Sequence, residues 1–124
     1  REMKDAKAQW LYLPPDSFLG TVAEKIVIPA ATEVGLPTFA STEQLMQAGA
    51  LSGLVSRYYN VGQFTAHKAE QILVGKQQPS TIPIETLKRF SYQVRMSAAE
   101  KLHLPPPLPM LGYAEIVNDT PVSQ

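Results

Sequence analysis

The sequence predicts an α/β fold, a parallel sheet with covering helices. Three observations carry that expectation: short apolar runs alternate with helical patterns, turn residues separate them, and 44% of the 124 residues are hydrophobic, enough for one core. The length fits a single domain or a piece of a larger one. Eleven Lys and Arg balance eleven Asp and Glu, so there is no basic excess to hold a phosphate backbone, and nucleic acid is not expected as a partner. No run approaches the ~20 apolar residues of a membrane span. With no Cys, disulfides, thiolate chemistry and Cys-ligated metals are removed, while the compartment stays undecided. Proline is the oddity: 11 residues, about twice the ordinary share of ~5%.

Residues 9–13, Gln-Trp-Leu-Tyr-Leu, read as a buried strand stopped by Pro14-Pro15. Asp16 or Ser17 can cap the next element, a helix over 18–34 with Val22, Ile26, Ala30 and Val34 at helical spacing and Gly35 as its stop. Pro29 is expected to kink or split that helix. Residues 36–40 form a second strand, Ser41-Thr42-Glu43 opens a short helix through Ala48, and Gly49 ends it. A third strand is expected over 51–56. Asn60 is then expected to cap a helix running to about Val74, with Val61, Phe64, Lys68 and Ile72 on one stripe and Gly75 as stop.

Residues 82–87 and 90–95 alternate apolar and polar side chains, as half-exposed strands do, and Pro83 favours an edge for the first. Ser97 is expected to cap a helix over 98–102. The run Pro105-Pro106-Pro107-Leu108-Pro109 should then end regular hydrogen bonding. That run reads as a rigid extended connector, with an SH3-type ligand as the alternative. Residues 110–117 add a last amphipathic turn, and 118–124 read as a frayed tail. Arg1 is not an initiator methionine and no leader pattern follows it, so the chain is expected to be cut from something longer.

Taken in order, several motifs resemble one family: Leu-Pro-Pro-Asp-Ser (13–17), Leu-Pro-Thr-Phe-Ala (36–40), Gly-Ala-Leu (49–51), Tyr-Tyr-x-x-Gly (58–62), Ile-Leu-x-Gly (72–75), Ile-Pro-Ile-Glu-Thr (82–86) and Leu-x-Leu-Pro-Pro-Pro (102–107). Together, over about residues 5–117, they resemble the C-terminal portion of ABC-importer solute-binding proteins, in the branch with tryptophan- and tyrosine-type members. The resemblance implies a three-layer, Rossmann-like parallel sheet with flanking helices, part of a type I periplasmic-binding fold whose two lobes close on a small ligand. Under it, 1–57 end one lobe, 58–81 give a helix of the other, and 82–124 hold the return crossing and the proline-rich tail. It also implies an extracytoplasmic parent working with permease and ATPase subunits. The missing half would leave uncovered surfaces, so a homodimer or a strand-exchanged assembly is expected.

Parallel α/β lobes bind ligands at the carboxyl ends of their strands, where helix N-termini present free N–H groups. Asp16 and Ser17 occupy such a place, and the resemblance puts the family's Thr-Asp-Asn ligand-side turn on Pro15-Asp16-Ser17. Pro15 and Ser17 depart from that pattern. Asp16 can cap a helix, accept from a ligand amino group, or do both. Ser41 and Thr42 occupy the equivalent loop, with capping as the competing role. Arg57 and Tyr58 lie at the proposed crossing, where a guanidinium could hold a carboxylate and a phenol could stack on an aromatic ligand, or the tyrosines could be hinge packing.

Material for an enzyme is thin. His67 sits mid-helix beside Lys68, His103 at a helix end, and neither has metal-ligand spacing. No glycine-rich phosphate loop is present, and the carboxylates are scattered, so no catalytic residue, metal or cofactor is expected. The leading expectation is a solute-binding module for a small polar or aromatic molecule such as an amino acid. The alternative is a ligand-sensing regulatory domain of a signalling protein with the same fold.

Overall fold

The computed structural model describes residues 2–119. They fall into two compact units: one holds the chain up to Val55 and again from Ser91, the other is Ser56–Phe90.

The first unit is built on five strands that stand side by side in chain order: β1 (Leu11–Leu13), β2 (Thr38–Ala40), β3 (Ser52–Val55), β4 (Ser91–Arg95) and β5 (Glu115–Val117). β1 to β3 are mutually parallel, as are β4 and β5. The expectation of a sheet parallel throughout fails at one place, because β4 runs antiparallel to β3. Val55 and Ser91 are register partners there, so the chain leaves and re-enters the sheet at the same end and has to run back.

Helices connect the parallel strands, as right-handed crossovers require. After α1 (Glu2–Asp5) and β1, the chain forms α2 (Ser17–Val22), a π turn (Ala23–Val27) and α3 (Ile28–Glu33). The interruption expected at Pro29 is this π turn, in which the Ile28 N–H bonds to Ala23 O. Proline offers no N–H and crowds the carbonyl four residues back; the wider turn just before it accommodates both. Gly35 (φ +67°) ends the helical stretch, and Gly49 (φ +114°) follows α4 (Glu43–Gln47); both conformations disfavour a side chain. Leu13, Ala23, Ile28, Ala40, Leu45, Met46, Ala50 and Val55 form the core between these helices and one sheet face. Each large side chain among them contributes roughly 1.5–3 kcal/mol by burial.

Several C-terminal expectations need correction. Residues 90–95 were to be half-exposed, but Gln93, Val94 and Arg95 are buried, because β5 pairs along the far side of β4. The proline run does not end regular structure: Pro109 sits in the first turn of α7 (Leu108–Leu111), where a missing N–H costs nothing, and 115–117 are strand rather than helical turn. Finally, α6 (Met96–Lys101) starts with Arg95 at its cap position. Ser97, expected as the cap, hydrogen-bonds the Asp119 carboxylate instead. Asp119, expected in a frayed tail, is also paired with Arg95, whose other amino group donates to Met46 O. The rest of that expected tail, 120–124, lies outside the described residues.

The second unit contains α5 (Tyr58–Leu73). It begins two residues before the expected cap Asn60, with extended Arg57 at the cap position and the Asn60 N–H bonded to Arg57 O. Its stop is the expected one, with Gly75 N–H on Glu70 O, although the positive φ falls at Lys76. Residues 82–87 are not a strand. Pro79–Thr81 make a 3-10 turn and the following segment runs irregularly, since Pro83 lacks a donor and this unit has no strand to pair with among the described residues. The segment instead lines a groove with Phe64, Lys68 and Ile72 of α5. Lys68 pairs with Glu85 and sits 5.5 Å from the Phe64 ring centre.

Candidate functional site

The register Leu13↔Ala40 aligns the carboxyl ends of β1 and β2, so the loops that follow them are neighbours. Ser41 fixes this: its N–H and its hydroxyl both donate to Leu13 O, at 3.2 and 2.8 Å. Two helices start from this rim. Asp16 caps α2, its Oδ1 accepting from Leu19 N–H at 2.7 Å, and Thr42 caps α4, its Oγ1 accepting from Leu45 N–H at 3.3 Å. Both caps have extended backbones, as an N-cap requires. Ser17 opens α2 and is exposed.

The four sequence-chosen residues Asp16, Ser17, Ser41 and Thr42 therefore share one rim of the first unit. Capping occupies one oxygen of Asp16, and the second carboxylate oxygen is in an exposed residue. The Ser41 proton is committed to Leu13 O, which leaves its oxygen as an acceptor. Chemically the rim offers a carboxylate for a cationic or hydroxyl-bearing group and helix N-termini for an anionic one.

Sequence reasoning missed Gln44 on this rim. A Cβ at Gly20 would lie 2.9 Å from Gln44 Oε1, so the glutamine amide lies against α2. No sequence spacing links residues 24 apart on two helices, and the bare Gly20 was the only trace of it.

Arg57 and Tyr58 belong to the second unit. Arg57 is exposed at the start of α5, and Tyr58 is exposed in its first turn. His67 is on the open face of α5, its Nδ1 3.7 Å from Glu70 Oε2. His103 stands after α6 with φ +54°. Among the described residues no cluster of three or more His, Asp or Glu could hold a metal, and no helix is long and apolar enough to cross a membrane.

Known proteins place this geometry. A conserved domain protein from Vibrio cholerae superposes with a TM-score of 0.76 at 25% identity, over 91% of this chain and 37% of its own. An ABC domain from Streptococcus pneumonia, in complex with L-Trp, gives 0.75 at 19% identity, over 93% of this chain and 39% of its own. The ligand-free, open CD0873 of Clostridium difficile, a substrate binding protein with adhesive properties, gives 0.69 at 25% identity over 89% and 36%. The chain thus spans well under half the length of these structures. No curated relative matches it at a significant level. The family model for ABC transporter substrate binding proteins matches residues 2–117. The fold is the α/β fold of periplasmic-binding proteins, and the chain belongs to the ABC transporter substrate binding protein family.

Proposed function

We propose that this chain is part of the solute-binding component of an ABC importer, binding without chemical conversion a small polar or aromatic molecule such as an amino acid. The observation that carries the reading is the rim at the carboxyl ends of β1 and β2, where Ser41 ties the strands together and two capped helices start. Parallel α/β sheets bind ligands at that end. Asp16 and Ser17 would meet the ligand's amino or hydroxyl groups, Ser41 and Thr42 its polar edge, and Arg57 and Tyr58 its carboxylate or ring. The breaks at Val55 and Phe90 support assigning Ser56–Phe90 to the opposite lobe.

The working protein is extracytoplasmic and hands its solute to a permease driven by ATPase subunits; the chain itself carries no phosphate loop. Self-association into a homodimer or a strand-exchanged assembly follows from its uncovered surfaces. Thermal-shift titration of the intact protein with amino acids and small organic solutes tests the binding role. A ligand at 100 times its Kd should add about 2.7 kcal/mol of stability. No shift across such a panel removes the reading.

A further inference from the structure

The Gln44 side chain is held at the rim by the flat of its amide. A Cβ on Gly20 would stand 2.9 Å from its Oε1, 3.0 Å from its Nε2 and 3.1 Å from its Cδ. Three nearly equal distances put the amide plane broadside on the Gly20 α-carbon, with its oxygen and nitrogen edges running along the surface of α2. Gly20 closes the first turn of α2, its N–H donating to Asp16 O at 2.9 Å. Gln44 follows the cap Thr42 by two residues, and its neighbours Leu45 and Met46 are buried. The amide thus lies between the first turns of the two helices that Asp16 and Thr42 open. It carries two donors and an acceptor, and none of them meets a partner among the described residues.

Gly20 is a poor choice for a helix on its own account, since alanine is favoured inside one. Folding alone does not require it, because an added methyl would meet only the tip of a flexible side chain, which could swing into solvent. What the glycine preserves is the place of the amide.

We propose that Gln44 is a specificity-determining residue of the solute site, its seated amide reading an uncharged hydrogen-bonding group on the solute's side chain: a hydroxyl, a carboxamide or a ring N–H. The inference rests on the solute-binding reading, in which Asp16 takes the solute's amino group. A neutral group fits the chemistry. An amide donates and accepts but has no charge to offset the desolvation of an ion, and the Asp16 carboxylate on the same rim repels a second anion. Seating on Gly20 also removes an ordering cost. A free glutamine loses rotamer freedom when it meets a ligand, which weakens binding by a few-fold to about tenfold. A site built this way leaves its own amide unpaired when the solute lacks the matching group, and so rejects that analogue.

The test is calorimetric titration of the intact protein with L-tyrosine against L-phenylalanine and with L-glutamine against L-methionine, pairs alike in size that differ in hydrogen bonding. The polar member of one pair should bind about tenfold or more tightly than its partner. Gln44→Ala should remove that preference and leave the affinity for the apolar member unchanged. Gly20→Ala should do the same while the Tm of the ligand-free protein holds or rises. Once Gln44 is alanine, Gly20→Ala should have no further effect on affinity. Gln47→Ala, the same change at the exposed far end of α4, should keep the preference intact.

A polar preference that survives Gln44→Ala overturns the proposal. So does binding with no preference in either pair, or a Gly20→Ala loss that is equal with and without Gln44. Solute binding that ignores Gln44 in these ways leaves the solute-binding reading standing. Binding of none of the four amino acids overturns the proposal as well, and the wider solute panel then decides the binding role separately.

Discussion

Gly53, in the middle of β3, should not accept even one methyl group. A Cβ there would lie 2.7 Å from the Ala40 carbonyl oxygen and 3.0 Å from Met46 Sδ. The sulfur ends a flexible side chain and can move, but the oxygen belongs to the β2 backbone, which is held in register with β3. Gly53→Ala therefore forces the two strands apart. Overpacking of this kind costs about 1–3 kcal/mol, against a gain of roughly 0.4–1 kcal/mol from a stiffer unfolded chain. The net expectation is a loss of about 1–2 kcal/mol, or roughly 5 °C or more in Tm for a chain of this size. Urea unfolding followed by Trp10 fluorescence reads the first unit directly. Gly62→Ala is the matched control: nothing lies within 4 Å of its Cβ, and inside α5 alanine is favoured by about 0.5–1 kcal/mol. The second variant should gain helix stability by circular dichroism while the first loses. A Gly53→Ala protein as stable as the parent would refute the packing argument, and one rescued by Met46→Ala would shift the blame from backbone to sulfur.

Two further outcomes follow from the polar contacts. Asp16→Ala should cost about 1 kcal/mol by removing the cap of α2, while Asp16→Asn, an equally good cap, should be nearly neutral for stability. If the carboxylate also meets a ligand cation, Asp16→Asn weakens solute affinity in calorimetric titration without lowering Tm; equal affinity for both proteins removes that role. Asp119 is held below its ordinary value of 3.8 by the Ser97 hydroxyl and then by Arg95. A depressed carboxylate stabilises the fold above its unfolded pKa and loses that contribution as pH falls through the folded one. Asp119→Asn should therefore flatten the decline in Tm below about pH 4, and an unchanged acid limb would show the contact to be idle.

How much was legible in the sequence follows from how local each signal is. Asp16 and Thr42 cap their helices as their positions suggest, because an N-cap needs only residues three apart. Ser97 and Asn60 look equally good as caps, yet α6 follows β4 directly and α5 starts only two residues after β3, with Arg95 and Arg57 at the cap positions, so both end up inside their first turns. The direction of β4 was hidden because it depends on where a 35-residue excursion returns, a property of Val55 and Ser91 together. β5 was hidden by the proline run, which stops one regular stretch without forbidding the next. Of the candidate site, the rim residues were visible from strand-then-cap spacing. Gln44 was not, since only the closeness of two helices puts it there.

The pairing of Val55 with Ser91 makes the second unit a detachable insertion. Its entry and exit are hydrogen-bonded neighbours, so β3 and β4 already form the two legs of a hairpin with an unusually long loop. Replacing Ser56–Phe90 by a two-residue turn would shorten that loop about four doublings, worth roughly 2.5 kcal/mol of closure entropy. The five-stranded sheet and its core residues would all remain, since none of them lies between Val55 and Ser91. The first unit thus has the connectivity of a self-sufficient fold, and the same joint gives an engineer a place to graft a different second unit.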